Sequence, residues 1–157
     1  MELFQNALFA EICKKEPKAV LVLVGVGELQ EEIRKKVIAL SLDDKVQFLN
    51  LREDIPSLMN MFDVFLRPSF FEGLPVVGVE AQATGLPVVT STGVTKELPI
   101  EKLSTYIPLE NGPEYWADSV LAAAKTDRQN TTDLIIESGY EINSAAAEFQ
   151  RHYEEMK

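Results

Sequence analysis

The sequence predicts an α/β fold in which a parallel β-sheet carries helices on both faces. Short apolar runs alternate with longer segments of helical periodicity along the whole chain, a pattern typical of strand–helix–strand units. The run 19–24 is apolar without interruption, as expected for a strand buried on both faces. Glycine turns follow two predicted strands, at Gly25–Gly27 and at Gly73. Because ligands of such sheets bind at the carboxyl ends of the strands, these turns are the candidate sites.

The first half of the chain alternates helix and strand. Apolar residues at helical spacing predict a helix over 3–15, which ends before Pro17. The apolar run 19–24 predicts the first strand, and a second apolar stripe predicts a helix over 29–41. The next predicted elements are a strand at 46–49, a helix at 55–62 and a strand at 63–66.

The second half continues the alternation. The helix predicted over 75–84 has Pro75 in its first turn and Gly85 at its C-terminal end, the positions that suit these two residue types. The remaining predicted elements are strands at 87–90 and 105–108 and helices at 113–125, 131–138 and 142–156.

Composition limits the classes of protein that fit. The chain has 157 residues, the size of one ordinary domain, and 46% of them are hydrophobic, enough for a core. Its net charge of −10 argues against broad nucleic-acid binding or adhesion to anionic lipid. Cys13 is the sole cysteine, so no disulfide forms within the chain, which fits the cytoplasm. The chain also has a single histidine, so no metal site is expected. No segment of the sequence predicts a signal peptide or a membrane span.

The most informative segment is the turn and helix that follow the strand at 63–66. Glu72 lies on the glycine turn, and Glu80 is the sixth residue of the predicted helix, about 8 Å along its axis. A helix N-terminus has unpaired N–H groups and a partial positive charge. Here these donors belong to Gly73, Leu74, Val76 and Val77. The order carboxylate, N–H groups, carboxylate matches the sugar hydroxyls, diphosphate and ribose hydroxyls of a nucleotide sugar.

A purely structural explanation of the two glutamates stays open. Glu72 can favour a helix N-terminus, and Glu80 can lie on a solvated face. The helix is apolar nearly all round, however, and a carboxylate on a mostly buried helix usually has a partner. We therefore expect a partner for Glu80 and favour the binding interpretation.

Two further turns are weaker candidates. Gly25–Gly27 lacks the third glycine of a dinucleotide-binding fingerprint, and a tight strand-to-helix turn explains it as well as ligand approach does. Asn50 tolerates the left-handed backbone of a turn. Arg52 could face a phosphate or a base, but a surface ion pair with Glu53 or Asp54 is favoured.

The motifs also occur in a recognisable order. Pro68-Ser69-x-x-Glu72-Gly73-Leu74-Pro75 is followed by Glu80-Ala81-x-Ala83-x-Gly85-x-Pro87-Val88-Val89. This segment resembles the E-x7-E region of the family 4, or group 1, retaining glycosyltransferases of the GT-B fold. Val24-Gly25-x-Gly27 is similar to their glycine turn, and residues 48–56 to the strand and loop that follow. Residues 137–142 resemble the subgroup that assembles bacterial capsular polysaccharide and exopolysaccharide. The resemblance covers nearly the whole chain.

The resemblance implies a fold and a set of binding roles. The chain would be the Rossmann-like C-terminal domain, which binds the nucleotide sugar in these enzymes. Glu72, Gly73 and Leu74 would bind the donor sugar, and Glu80 the ribose hydroxyls. The diphosphate would meet backbone N–H groups of Val76, Val77, Gly25 and Gly27, and the base would be bordered by Asn50, Leu51 and Arg52. Such enzymes need no metal, and their retaining chemistry is usually drawn as front-face attack by the acceptor hydroxyl.

The chain departs from the family pattern in three ways. The N-terminal acceptor-binding domain has no counterpart, so residues 1–157 are expected to form a single nucleotide-sugar-binding domain. The strand before the first helix, and the loop whose arginine and lysine clamp the diphosphate, have none either. Val26, Glu28 and Asn50 stand where an acidic residue, a proline and a glycine are common.

Without its first strand the sheet is expected to be incomplete. Either the strands at 19–24 and 63–66 close the gap, or the chain borrows an edge strand from a second copy and forms a homo-oligomer. The cations that clamp the diphosphate are expected to lie outside this chain.

The leading hypothesis is the donor-binding half of a retaining glycosyltransferase that transfers a hexose in bacterial capsular or exopolysaccharide synthesis, inactive alone. Its partners would be a UDP-sugar or other nucleotide sugar and a lipid-linked or glycan acceptor held by the second domain, at the cytoplasmic face of the membrane. The alternative is a non-catalytic nucleotide-sugar-binding or degenerate fragment with an interaction role. A phospho-acceptor signalling domain is disfavoured because acidic residues do not cluster at the predicted strand ends.

Overall fold

The structure is a computed structural model that describes residues 2–156. Its helices are α1 (Glu2–Lys15), α2 (Gln30–Ala39), α3 (Ile55–Met59), α4 (Val76–Ala83), α5 (Gly112–Ala123), α6 (Thr132–Glu137) and α7 (Ile142–Glu155). Its strands are β1 (Leu21–Val24), β2 (Val46–Leu49), β3 (Phe65–Arg67), β4 (Val88–Ser91) and β5 (Ser104–Ile107). Short 3₁₀ turns at Glu101–Leu103 and Leu109–Asn111 flank β5. Each predicted element is present, with small displacements of its ends.

The strands form two parallel sheets. In the first sheet β1 pairs with β2, and in the second the order is β3-β4-β5. No backbone hydrogen bond joins β1 to β3 among residues 2–156. The gap predicted between these two strands therefore stays open, which excludes the first of the two predicted alternatives, closure within the chain. A strand borrowed from a second copy stays a prediction.

Helices cover both faces of the second sheet. All residues of β4 are buried, and successive side chains of a strand point to opposite faces. Val89 packs with Trp116 of α5 and Leu8 of α1, whereas Val88 packs in a separate cluster with Val79 of α4. The predicted α/β fold with helices on both faces is therefore confirmed.

The two sheets share one apolar core. Leu21 and Leu23 of β1 and Phe48 of β2 pack against the same cluster that holds Val89 of β4. The first three residues of β1 are only half-buried, and Val24 is 41% exposed. The sequence predicted burial on both faces, and it overestimated that burial because no strand within residues 2–156 pairs with the other edge of β1.

A buried amide fixes the position of α4. Gln82 is fully buried; its Nε2 donates to the Ile100 carbonyl (3.0 Å) and to Ser104 Oγ (2.8 Å), and its Oε1 accepts from the Ile100 N–H (2.9 Å). Each polar atom of the amide group thus has a partner, as burial requires. These bonds attach α4 to the segment that leads into β5. They hold in place the helix whose N-terminus forms the candidate site.

Candidate functional site

The turn that carries Glu72 is held against the segment after β4. The Glu72 N–H donates to the Gly93 carbonyl and the Thr95 N–H donates to the Glu72 carbonyl, both at 3.2 Å. A Cβ added at Gly93 would lie 2.1 Å from the Phe70 carbonyl oxygen, so only glycine fits this close approach. Directly before Phe70 and Phe71, the Ser69 N–H donates to Ser91 Oγ at 3.0 Å. The backbone around Glu72 is therefore fixed by the neighbouring segment.

The N-terminus of α4 presents free donors, as the sequence predicts. Pro75 is the N-cap residue, and its carbonyl accepts from the N–H groups of Gly78 (2.8 Å) and Val79 (3.3 Å). Within residues 2–156, no acceptor binds the N–H groups of Gly73, Leu74, Val76 and Val77. Val76 is 66% exposed, so the first turn of the helix faces solvent. Four backbone donors are thus available to an anion beside Glu72.

Glu72 forms a bidentate ion pair with Arg67, the last residue of β3. Arg67 Nε donates to Glu72 Oε2 at 2.5 Å, and a terminal guanidinium nitrogen of Arg67 donates to Glu72 Oε1 at 2.6 Å. The hydrogen bonds from Arg67 lower the pKa of the Glu72 carboxyl below its ordinary value, so it is ionised at neutral pH. Both side chains keep partial exposure, 38% for Arg67 and 26% for Glu72. The carboxylate is therefore oriented by the protein and still accessible from outside.

The sequence did not predict this ion pair. That the cations which clamp the diphosphate lie outside this chain stays a prediction, but Arg67 lies directly against Glu72. It was missed because the strand was predicted to end at Leu66, which left Arg67 without a defined direction. A signal was present, because an arginine stood next to the Pro68-Ser69 segment of the motif itself.

Glu80 lies where the sequence places it along α4 but not in the predicted environment. The apolar helix predicted a partner for its carboxylate, yet Glu80 is exposed and has no hydrogen bond or ion pair within residues 2–156. The helix buries Val79 and Gln82 and exposes Val76, Glu80 and Ala83, a face with the spacing of one helical turn. An apolar composition did not reveal this face because valine and alanine occupy both sides. Glu80 is consequently free to accept hydrogen bonds about 6 Å along the axis from the N-terminal donors.

The glycine turn after β1 borders an open cavity. The cavity has a volume of about 460 Å³ and is lined by residues 23–30 together with Ile33 and Phe48. Gly25 has a φ of +125°, and a Cβ at Gly25 or Gly27 would meet nothing within 4 Å. The turn therefore leaves room for a ligand. The cavity lies on the first sheet and its lining does not include the Glu72 turn.

The loop after β2 is exposed at Asn50, Leu51 and Arg52. Arg52 Nε donates to Asp54 Oδ1 at 2.8 Å, and a terminal guanidinium nitrogen donates to Asp54 Oδ2 at 2.6 Å. The favoured surface pair is confirmed. Because its guanidinium is bound to Asp54, Arg52 can contact a ligand more readily through its backbone.

The predicted site residues follow strands of two different sheets. The four free N–H groups, Glu72 and Glu80 form one continuous turn and helix on the second sheet. Gly25, Gly27 and the loop at 50–52 follow the strands of the first sheet, across the open gap.

Among residues 2–156 no group of three or more histidine, cysteine or acidic side chains is arranged to hold a metal ion. In the same part of the chain, every helix is too short or too polar to cross a membrane. A cytoplasmic location stays a prediction.

The parallel strands, the two helix layers and the glycine turns define an α/β domain of the nucleotide-binding type. A family model described as "Glycosyl transferases group 1" matches residues 1–126. The chain belongs to this family, which confirms the resemblance found in the E-x7-E segment.

Similar proteins extend the assignment. The putative glycosyltransferase EpsF of Bacillus subtilis is 36% identical over 142 residues, which are 88% of this chain and 37% of EpsF. The UDP-Gal:alpha-D-GlcNAc-diphosphoundecaprenol alpha-1,3-galactosyltransferase of Escherichia coli is 40% identical over 76 residues, 48% of this chain and 20% of that protein. The matched part of this chain thus spans 37% of the length of EpsF and 20% of the length of the galactosyltransferase.

A solved structure shows the same fold. The pneumococcal O-GlcNAc transferase GtfA, in complex with UDP and GlcNAc, superposes with a TM-score of 0.81 over 97% of this chain and 32% of that chain. At 16% sequence identity this likeness shows the fold alone.

Proposed function

We propose that this chain is the nucleotide-sugar-binding half of a retaining glycosyltransferase that transfers a hexose in bacterial polysaccharide synthesis. The observation that carries the proposal is the N-terminus of α4, where four free N–H groups lie between the carboxylates of Glu72 and Glu80. Backbone donors suit a diphosphate, and ionised carboxylates suit sugar hydroxyls. The UDP-Gal donor in the name of the Escherichia coli galactosyltransferase supports the same class of donor.

Each group has a distinct role in the proposed reaction. Glu72 accepts hydrogen bonds from hydroxyls of the donor sugar, with Gly73 and Leu74 beside it, and Glu80 accepts those of the ribose. The N–H groups of Val76 and Val77 bind the diphosphate, and the turn at Gly25 and Gly27 and the loop at 50–52 border the nucleotide. Negative charge grows on the leaving diphosphate as the bond to the sugar breaks. Donors that are already oriented stabilise this charge, which is a strong catalytic effect.

The acceptor is proposed to bind elsewhere. A lipid-linked or glycan acceptor would be held by the second domain of the enzyme, and this domain alone would bind the donor without transferring it. The lipid-linked acceptor named for the galactosyltransferase relative supports this choice.

Calorimetry with Glu80 variants tests the proposal. The chain is titrated with UDP, GDP, UDP-glucose, UDP-galactose, UDP-GlcNAc and GDP-mannose. We expect one nucleotide and its sugar to bind, and Glu80→Ala to weaken both by about tenfold or more, because hydrogen bonds to a charged group are worth about 1.5–3 kcal/mol. The control is Glu137→Ala, which removes an exposed carboxylate at the end of α6.

Two results would contradict the proposal. Unchanged binding by the Glu80 variant would place the ribose elsewhere. No binding of any of these ligands at millimolar concentration would favour the alternative, a degenerate fragment with an interaction role.

A further inference from the structure

Arg67 and Glu72 are each attached to a different part of the second sheet. Arg67 belongs to β3, where it lies opposite Thr90 of β4, and its carbonyl accepts from Thr90 Oγ1 at 2.8 Å. Glu72 forms an isolated parallel bridge with Val94. The backbone of each residue is therefore held in place by contacts that do not involve the ion pair. The ion pair closes the short loop between them.

The geometry of the pair fixes the carboxylate plane. Two nitrogens of Arg67 bind two oxygens of Glu72, at 2.5 and 2.6 Å. A guanidinium is planar and presents its donors as a rigid fork, so a bidentate pair sets both the position and the rotation of its partner. A lysine, as a point charge with flexible geometry, would set the position only.

The paired carboxylate still has acceptor capacity. An ionised carboxylate has about four lone-pair sites on its two oxygens, and Arg67 occupies one on each oxygen. Glu72 keeps 26% exposure and adjoins the free N–H groups of Gly73 and Leu74. A ligand hydroxyl can therefore reach the remaining sites.

We propose that Arg67 is the positioning residue of the donor-sugar subsite, which orients Glu72 so that its free lone pairs accept hydrogen bonds from two sugar hydroxyls. This inference rests on the proposed function, because it assigns the sugar to Glu72. It adds that Arg67, which does not contact the sugar itself, contributes to the gain in affinity that the sugar provides over the free nucleotide. The nucleotide part, held by α4 and Glu80, does not depend on Arg67.

The experiment compares affinity for the free nucleotide with affinity for its sugar conjugate. Calorimetry uses UDP and the UDP-hexose that binds most tightly among UDP-glucose, UDP-galactose and UDP-GlcNAc, or GDP and GDP-mannose if the chain selects guanine. The variants are Arg67→Met, Arg67→Lys, Glu72→Gln and the double variant Arg67→Met/Glu72→Gln. The control is Arg151→Met, which removes an exposed arginine of α7.

We expect Arg67→Met to leave nucleotide affinity unchanged and to lower nucleotide-sugar affinity by about tenfold, the range of a charge-assisted hydrogen bond. Arg67→Lys should recover part of this loss. The double variant should lose no more than the more affected of the two single variants, since residues that act as a unit are not additive. Circular dichroism confirms that each variant is folded, and Arg67→Lys keeps the charge if Arg67→Met unfolds.

The outcomes separate this inference from the proposed function. If the nucleotide binds but a folded Arg67→Met or Arg67→Lys variant keeps the wild-type ratio of the two affinities, the role of Arg67 is wrong and the donor site stands. If the wild-type chain binds nucleotide and nucleotide sugar equally, Glu72 contributes nothing and the inference also fails. If no nucleotide binds at all, both proposals fail together.

Discussion

Gly93 is the residue on which the placement of Glu72 depends. Its carbonyl accepts the Glu72 N–H, and its missing side chain admits the Phe70 carbonyl, which would lie 2.1 Å from a Cβ. Because the obstacle is backbone rather than a flexible side chain, a methyl group here must move the turn.

We expect Gly93→Ala to lower the free energy of unfolding by about 1–3 kcal/mol, the usual range for overpacking. Urea denaturation measures this loss. Gly73→Ala is the matched control for stability, since a Cβ at Gly73 meets nothing within 4 Å, and it should change the free energy by less than about 0.5 kcal/mol. Equal free energies of unfolding for the two variants would contradict this expectation and show that the backbone at Phe70 can move to accommodate a methyl group.

For individual residues, the sequence predicted the positions of Glu72 and Glu80 better than their surroundings. The glycine turn and the helical pattern placed Glu72 on the turn and Glu80 on the helix, where the structure has them. The sequence could not show that Glu80 is solvent-exposed, because exposure of a helix face depends on what packs against the other face. It could not pair Arg67 with Glu72, because that contact requires the end of β3 and the path of the turn.

Among the elements, α7 has a well-defined N-terminal cap. The Glu141 carboxylate accepts from the N–H groups of Asn143 (3.0 Å) and Ser144 (2.7 Å) and from the Ser144 hydroxyl (2.8 Å). These bonds lower the pKa of Glu141 from 4.5 to about 2. A carboxylate at this position also interacts favourably with the helix dipole.

The cap predicts a pH dependence for α7. Since the pKa of Glu141 is lower in the folded chain, its stabilisation is complete above about 4.5 and disappears as the pH falls through about 2. Amide hydrogen exchange at neutral pH should be faster in α7 for Glu141→Ala than for wild type, and the difference should shrink over this acid range. Glu137→Ala is the control and should leave α7 exchange unchanged. Equal protection in wild type and Glu141→Ala would contradict the role of the cap.

Periodicity was sufficient to predict the elements but not the pairing between strands. Apolar stripes and short apolar runs located each helix and strand because these patterns are local. Whether β1 joins β3 depends on hydrogen bonds between segments far apart in the chain, which no local pattern contains. The family resemblance predicted a missing strand, and the sequence left open whether the chain would close the resulting gap or borrow a strand.

The whole molecule consists of two parallel sheets on one core, with the candidate donor groups divided between them. The groups around α4 form a complete turn-and-helix unit, whereas the glycine turn and the loop at 50–52 depend on how the first sheet is held. In the described part of the chain no strand pairs with the open edges of β1 and β3, and such edges favour pairing with another strand.

Amide chemical-shift mapping by NMR tests the central claim most directly. The chain is titrated with the nucleotide sugar that calorimetry selects. If α4 binds the donor, the largest saturable shifts should fall on Gly73, Leu74, Val76, Val77 and Glu80, with smaller shifts at Gly25 and Gly27. Saturable shifts confined to other parts of the chain, such as the cavity formed by residues 99–102 and α6, would contradict the account, as would the absence of any shift at millimolar ligand.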